Sequence, residues 1–150
     1  MSKLYRMKWL GDKVIKLAEN KLCEILGEYA LIAEGESKKE LHKGHGVKTG
    51  YLRRSIHAAD ADYAFSKDDT GPEGSSPERG GLKIKAKKVG NKFIVRLGSG
   101  LVYAMAIHQG WNWQPGGLIG TFSGYHYLTN GVEKAKAKKS QIIARHQVKA

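Results

Sequence analysis

Leu82-Lys83-Ile84-Lys85-Ala86-Lys87-Lys88-Val89-Gly90-Asn91-Lys92-Phe93-Ile94-Val95-Arg96-Leu97 is the stretch from which the fold is read. Leu82, Ile84 and Ala86 alternate with lysines, Gly90-Asn91 supplies turn chemistry, and Phe93, Val95 and Leu97 alternate on the return. A period of two on both sides of a turn predicts an antiparallel hairpin over 82–98, one face apolar and the other largely basic. Gly98-Ser99-Gly100 breaks the pattern, and 101–109 reads as a short helix ended by Gly110.

The N-terminal side has a different period. Leu10, Val14, Leu17, Ala18, Leu22, Ile25, Tyr29 and Ile32 recur at spacings of three and four, one apolar stripe along a helix over 1–35. Ile15 and Leu26 lie off that stripe as a second, narrower patch suited to a partner. Gly35 and the polar run Glu36–Glu40 are expected to end the helix. A basic, Gly-punctuated connector follows to Lys48. Its His42 and His45 lack the cysteine or carboxylate partners of a metal site, so a solvated loop is expected. Residues 49–59 read as a turn entering a strand, and 60–81, rich in Asp, Ser, Gly and Pro, as loop. Trp111, Trp113 and Gly116-Gly117 form an aromatic, Gly-rich loop, with a brief strand at Tyr125–Leu128. A C-terminal helix with a thin apolar stripe is expected over 129–148. Together these predict one α+β domain: a small antiparallel sheet, the long N-terminal helix packed on it, and the C-terminal helix alongside.

Composition bounds the function. At 150 residues and 41% hydrophobic content the chain can bury a core of its own. The single Cys23 cannot close an internal disulfide, which suits a reducing compartment. No secretory leader and no window of roughly 18 apolar residues is present, so a soluble product with no membrane partner is expected. The net charge is +12, unevenly spread. Residues 60–80 hold six acids against two bases, a balance of −4 that leaves +16 on the rest. A basic body with an acidic loop suits electrostatic pairing of subunits as well as it suits DNA.

An enzyme needs convergent reactive groups. His42, His45, His57, His108, His126 and His146 are scattered without ligand spacing, and neither a nucleophile elbow nor a P-loop is present. A general-base site at His108 with His126 and Tyr127, as in a small basic toxin ribonuclease, is the weakest of three readings. No catalytic residue, cofactor or metal is expected. Trp111 and Trp113 flank Asn112, so both rings do not easily share one core. Either the loop folds back and one Trp plugs the sheet, or the rings anchor a partner, and at least one is expected at an interface.

Two short signatures remain. The first is Thr49-Gly50-Tyr51-Leu52-Arg53-Arg54-Ser55-Ile56, and the second is Gly98-Ser99 at the hairpin's end with Tyr103-Ala104 and Gly110. In this order, behind a long helix, they resemble the tail-completion and head–tail joining proteins (neck or minor tail proteins) of long-tailed bacteriophages. Those proteins carry a Thr-Gly-x-Leu-Arg-x-Ser-Ile segment, a hairpin ending in Val-Gly-Ser, then Tyr-Ala and an acid-Gly-Thr loop before a final helix. Thr49, Gly50, Leu52, Arg53, Ser55 and Ile56 match the first motif. Gly98, Ser99, Tyr103, Ala104 and Gly110 match the second. The chain departs from the family in having Gly46-Val47 where a proline is common, Gln109 where a glutamate precedes the loop glycine, His126-Tyr127 for Pro-Phe, and a longer loop after Ser55.

The resemblance implies a structural virion protein rather than an enzyme. It implies a ring, usually sixfold, at the head–tail junction, made in the host cytoplasm and traversed by the genome. The implied partners are further copies of itself, the tail tube or tail terminator protein, the head-completion or connector protein, and genomic DNA in transit. Ring contacts are expected at the hairpin edge through Ile94 and Arg96, at Trp111 and Trp113, and at Asp68 and Asp69 facing basic surfaces of a neighbour. A basic nucleic-acid-binding protein is the second reading.

Overall fold

The computed structural model describes residues 10–47, 50–68, 83–113 and 120–147, with backbone alone at 46, 47 and 113. The fold is α+β. Helix α1 (Gly11–Glu40) is its spine, 30 residues and about 45 Å long. Short pieces follow: β1 (His42–Lys43), β2 (Gly46–Val47), α2 (Tyr51–Ser55) and β3 (His57–Ala59). After a 3₁₀ turn at Phe65–Lys67 come β4 (Lys87–Val89), β5 (Lys92–Ile94), β6 (Arg96–Gly98) and α3 (Ala104–Gln109). The chain closes with β7 (Trp111–Trp113), β8 (Gly120–Phe122), α4 (Tyr127–Ala137) and α5 (Lys139–Arg145).

The expected stripe on α1 is not its buried face. Its buried residues are Gly27, Ala30, Ala33, Glu34, Glu36 and Ser37, and they meet α4 through Gly131 and Ala135. Small side chains let the two backbones close in. A Cβ built on Gly131 would stand 2.0 Å from Ser37 Oγ and 2.8 Å from Ala33 O, so only glycine fits there. This packing also carries α1 through Gly35, where a stop was expected, to Glu40. Glu36 and Ser37 are buried against α4, and Lys38 and Lys39 complement the negative end of the helix dipole. Leu41, fully buried in extended conformation, ends the helix.

Among the described residues the strands form four two-stranded pairs instead of one sheet. β4 and β5 make the expected hairpin, with Gly90 at φ +59, the positive value a two-residue hairpin turn demands of its first residue. Two features depart from the 82–98 reading. Residues 83–86 are not a strand: this segment crosses α1, where Ile84 O fills the space a Cβ on Gly27 would need and Ala86 N–H donates to Cys23 O at 3.1 Å. The return strand also splits, so that β6 pairs antiparallel with β3, His57 opposite Gly98. β7 and β8 pair within the aromatic loop, and β1 and β2 pair in parallel.

Tyr125–Leu128 is not a strand: α4 starts at Tyr127 after His126, the one non-glycine residue with positive φ among the described residues. The C-terminal helix breaks at Lys138 into α4 and α5, which return along α1, pairing Glu40 with Lys134, Glu36 with Lys138 and Glu28 with Arg145. Leu41, Leu52, Ile56, Ala104 and Tyr127 form the core under this frame, with Leu97, Leu101 and Ile107 packed against it. Among the described residues no helix is long and apolar enough to cross a membrane.

Candidate functional site

The two signatures, some fifty residues apart in sequence, close on one another. Gly50, at φ +81, starts α2, which buries Leu52 and Ile56 one helical turn apart. Ser55 follows on the same turn, fully buried, and its hydroxyl donates to Leu52 O at 2.8 Å. Ser55 Oγ lies 2.5 Å from Ser99 Oγ, and Ser99 Oγ accepts the N–H of Leu101 at 3.2 Å. With the Ser55 proton committed to Leu52, the Ser99 hydroxyl is the donor between the two serines. Gly98 lies under the Phe65 ring, where a Cβ would be 3.2 Å from it. Ala104 joins the core, and Gly110, at φ +87, lets Phe122 O approach where a side chain would stand. Arg53 and Tyr103 are exposed, and Thr49 lies outside the described residues.

Beside this junction is a polar cluster the sequence did not announce. His57 Nε2 lies 2.9 Å from Asp68 Oδ2, the two side chains being 3% and 0% exposed. The Tyr63 hydroxyl donates to Asp68 Oδ1, and that bond pushes its pKa up to about 12. The Phe65 and Tyr63 rings pack on the imidazole at 4.9 and 5.2 Å. Asp68 therefore does not face a neighbouring subunit. It holds a buried imidazole in its own chain, because a carboxylate taken out of water is retained where donors converge on it. Asp69 lies outside the described residues.

The structure brings His108, His126 and Tyr127 together, with ring centroids 5.7 and 5.0 Å from His108. The histidine has a structural task there. Its Nδ1 accepts the N–H of Leu128 at 3.4 Å, in the first turn of α4, and Nε2 lies 3.4 Å from Thr129 Oγ1. Burial, then His126, lowers its pKa. A neutral ring whose acceptor nitrogen already serves a backbone amide is not poised to take a substrate proton. Tyr127, fully buried, donates its hydroxyl to Ala104 O. A pocket of about 340 Å³ opens beside this group, lined by Ser99, Met105 and Leu128 among others.

The basic last helix is less available than its composition promised. Lys134 pairs with Glu40, Lys138 with Glu36 at 2.7 Å, and Arg145 and His146 with Glu28 at 2.5 and 2.6 Å. Glu36 carries a second lysine, Lys39, at 2.9 Å, and its pKa is held down to about 2 by the hydrogen bonds from Lys138 and Lys39. Glu34 Oε2 accepts the N–H of Ala58, which ties β3 to α1. Lys134 and Lys138 pair with α1 while their side chains stay partly exposed, at 55% and 44%. Among the described residues Lys136 meets only the exposed Glu133, at 3.7 Å, and Lys139 forms no ion pair.

What the chain leaves uncovered is apolar. Every residue from Asp12 through Ala18 is exposed, including Val14 at 63% and Leu17 at 61%. Val102, on the loop before α3, is 98% exposed, with Tyr103 and Met105 beside it. Trp111 is 45% exposed, its ring resting on Phe122 at 4.5 Å, and the Trp113 side chain lies outside the described residues. Arg96 is exposed and donates to Tyr63 O. Ile94 is half-buried opposite Lys87. Because Val89 and Lys92 close the two-residue turn, alternation makes Lys87–Ile94 the next hydrogen-bonded pair. Ile94 N–H thus serves its own hairpin, and Phe93 presents its backbone to the outer edge, the reverse of the edge role expected for Ile94. No family model, no curated protein and no solved structure matches this chain.

Proposed function

We propose that this chain is a structural subunit of a long-tailed bacteriophage particle, a ring-forming protein at the head–tail junction. It completes the tail and joins it to the capsid connector, and the genome passes through its lumen. The observation that carries the reading is the junction of the two signatures. Residues that resemble a phage assembly family in two separate segments meet in one packed unit through Ser55–Ser99 and β3–β6, with Leu52, Ile56 and Ala104 in one core. A motif whose polar groups are spent on each other serves architecture, not chemistry.

The uncovered first turns of α1 add support. An isolated helical segment of that length is marginal in water, and exposed Val14 and Leu17 call for a partner surface. Neighbouring copies, related by a heterologous contact that closes, supply one. The in-chain pairing of Lys134, Lys138 and Arg145 weighs against DNA gripping as the main task, since each of these cations already has a carboxylate.

The test is co-sedimentation of the purified protein with purified tail tubes, wild type against Val14→Lys/Leu17→Lys. The wild type should pellet with the tubes and cap their ends in electron micrographs. The double variant, altered only at exposed positions, should stay folded and remain in solution. Wild-type protein that ignores tubes and connectors alike would overturn the reading.

A further inference from the structure

The chain carries a second apolar feature on the flank of α1 that adjoins its buried face, reaching into the uncovered first turns only at Ile15 and Ala18. Leu22, Ile25, Leu26 and Tyr29 of α1 face Ile142 and Ile143 of α5 across a groove of about 270 Å³. At Leu22 the groove runs into a shallower hollow of about 400 Å³, where Ile15, Ala18 and Phe93 continue the apolar floor. Ile15, Ala18, Leu22, Ile25 and Tyr29 are spaced three, four, three and four apart, the seam of a helix built to receive another helix. From Ile15 to Tyr29 the trough spans about four turns, or about 21 Å.

Its charges are one-signed where they are free. Among the described residues, Lys136 and Lys139 are the only charged ones lining the deeper groove, and no carboxylate lines it. Lys136 is shared with exposed Glu133, and Lys139 is unpaired among the described residues. In the shallower hollow Glu19 is neutralised by Lys88. An occupant therefore gains from acidic groups along its flank and from an apolar stripe beneath.

A second copy does not carry that combination. Its exposed first turns hold Lys13, Lys16 and Lys21 against Asp12 and Glu19, and α4–α5 are basic. Glu28, Glu36 and Glu40 of α1 are already paired within the chain. The acidic stretch 60–80 is rich in Gly, Pro and Ser and has no helical apolar period. The trough is also concave, walled by two helices and a hairpin, a shape that fits a cylinder rather than a bilayer plane. We propose that this trough docks an amphipathic helix of a partner protein, about four turns long, with an apolar stripe and acidic flanks.

The proposal rests on this surface alone and not on ring formation. The probe is a fluorescein-labelled synthetic helix of about 16 residues, with leucines at spacings of three and four between glutamates, titrated with the full chain by anisotropy. Three controls accompany it: a scrambled peptide of the same composition, a version with lysine in place of glutamate, and phosphatidylglycerol vesicles. The acidic striped peptide should bind at least tenfold more tightly than the scrambled one. Lys136→Glu/Lys139→Glu should weaken it about tenfold, and Leu22→Asp or Ile143→Asp, both at exposed positions, should remove it without changing the circular dichroism spectrum. Equal binding of scrambled or lysine-flanked peptide, or variants that bind as wild type, would overturn the proposal. So would vesicle binding that depends on Lys136 and Lys139 while the peptide does not bind. None of these readouts depends on the mass of the protein or on tail tubes.

Discussion

Two glycines inside α1 should respond to the same substitution with opposite signs. Gly35→Ala places a methyl group where nothing lies within 4 Å, so only backbone propensity changes. Alanine restricts the unfolded chain and favours the helix, a gain of about 0.5–1 kcal/mol. Gly27→Ala has the same gain in principle. Its Cβ, however, would stand 1.8 Å from Ile84 O, 2.8 Å from Ile84 C and 3.3 Å from Lys85 Cα. These are backbone atoms that cannot swing aside as a side chain would. Residues 83–86 must lift by over an ångström, straining or breaking the Ala86 N–H bond to Cys23 O, worth about 1 kcal/mol net. Overpacking adds about 1–3 kcal/mol. Gly27→Ala should therefore be destabilising by about 1–3 kcal/mol, and the two variants should differ by about 2–4 kcal/mol. Urea denaturation followed by far-ultraviolet circular dichroism measures both on one scale. If Gly27→Ala is as stabilising as Gly35→Ala, the 83–86 segment does not cross the helix, and the account of why it is not a strand fails.

Three further outcomes follow from the site. Ser55→Ala and Ser99→Ala should each lower stability by about 1–2 kcal/mol, and the double variant should fall short of the sum, because each change removes the same Ser55–Ser99 bond; additive losses in a denaturation cycle would contradict this. Asp68→Ala should cost about 3 kcal/mol by leaving His57 buried without its partner, while Asp60→Ala, at an exposed position, should stay within about 0.5 kcal/mol; thermal melts of the two variants decide. Glu36 has a folded pKa depressed to about 2 from 4.5, so its contribution to stability is fully present above 4.5 and is lost as pH falls toward 2. Glu36→Gln should flatten the fall in melting temperature across that window, and an unchanged pH profile would show that the Lys138 and Lys39 contacts contribute nothing.

Periodicity carried the long helix, the Gly90-Asn91 turn and the α+β class into view, because each rests on local pattern. What it missed depended on partners distant in sequence. The α1 stripe at Val14 and Leu17 looked like a core face because amphipathicity reports a preference for burial, not where the cover comes from. The true crossing runs through Ala30, Ala33, Ser37, Gly131 and Ala135. Small residues at spacings of three and four are a usable signal of close helix approach, hidden here beneath the larger hydrophobes. Gly35 looked like a stop on propensity, yet close packing of Ala33 and Ser37 on Gly131 and the Glu36–Lys138 pair carry the helix on against the roughly 1 kcal/mol that glycine costs. Alternation over Leu82–Ala86 suggested a strand, but residues 83–86 pair with none, and the Ala86 amide bonds to a helix carbonyl at Cys23. At the site, the paired signatures named residues that the fold brings together at Ser55, Ser99 and Ala104, while leaving their roles open. Asp68 was misplaced because its partner His57 gives no local sign of being buried.

Whether this chain closes into a ring at the head–tail junction is decided by the mass of the purified protein in solution. Native mass spectrometry, over a range of concentrations and with and without tail tubes, should show a closed multiple of the 16.5 kDa chain, six copies by the family resemblance, that persists on the tube. A 16.5 kDa monomer at every concentration, indifferent to tubes and binding DNA with an affinity that falls steeply with salt, would contradict the account and leave a nucleic-acid-binding protein in its place.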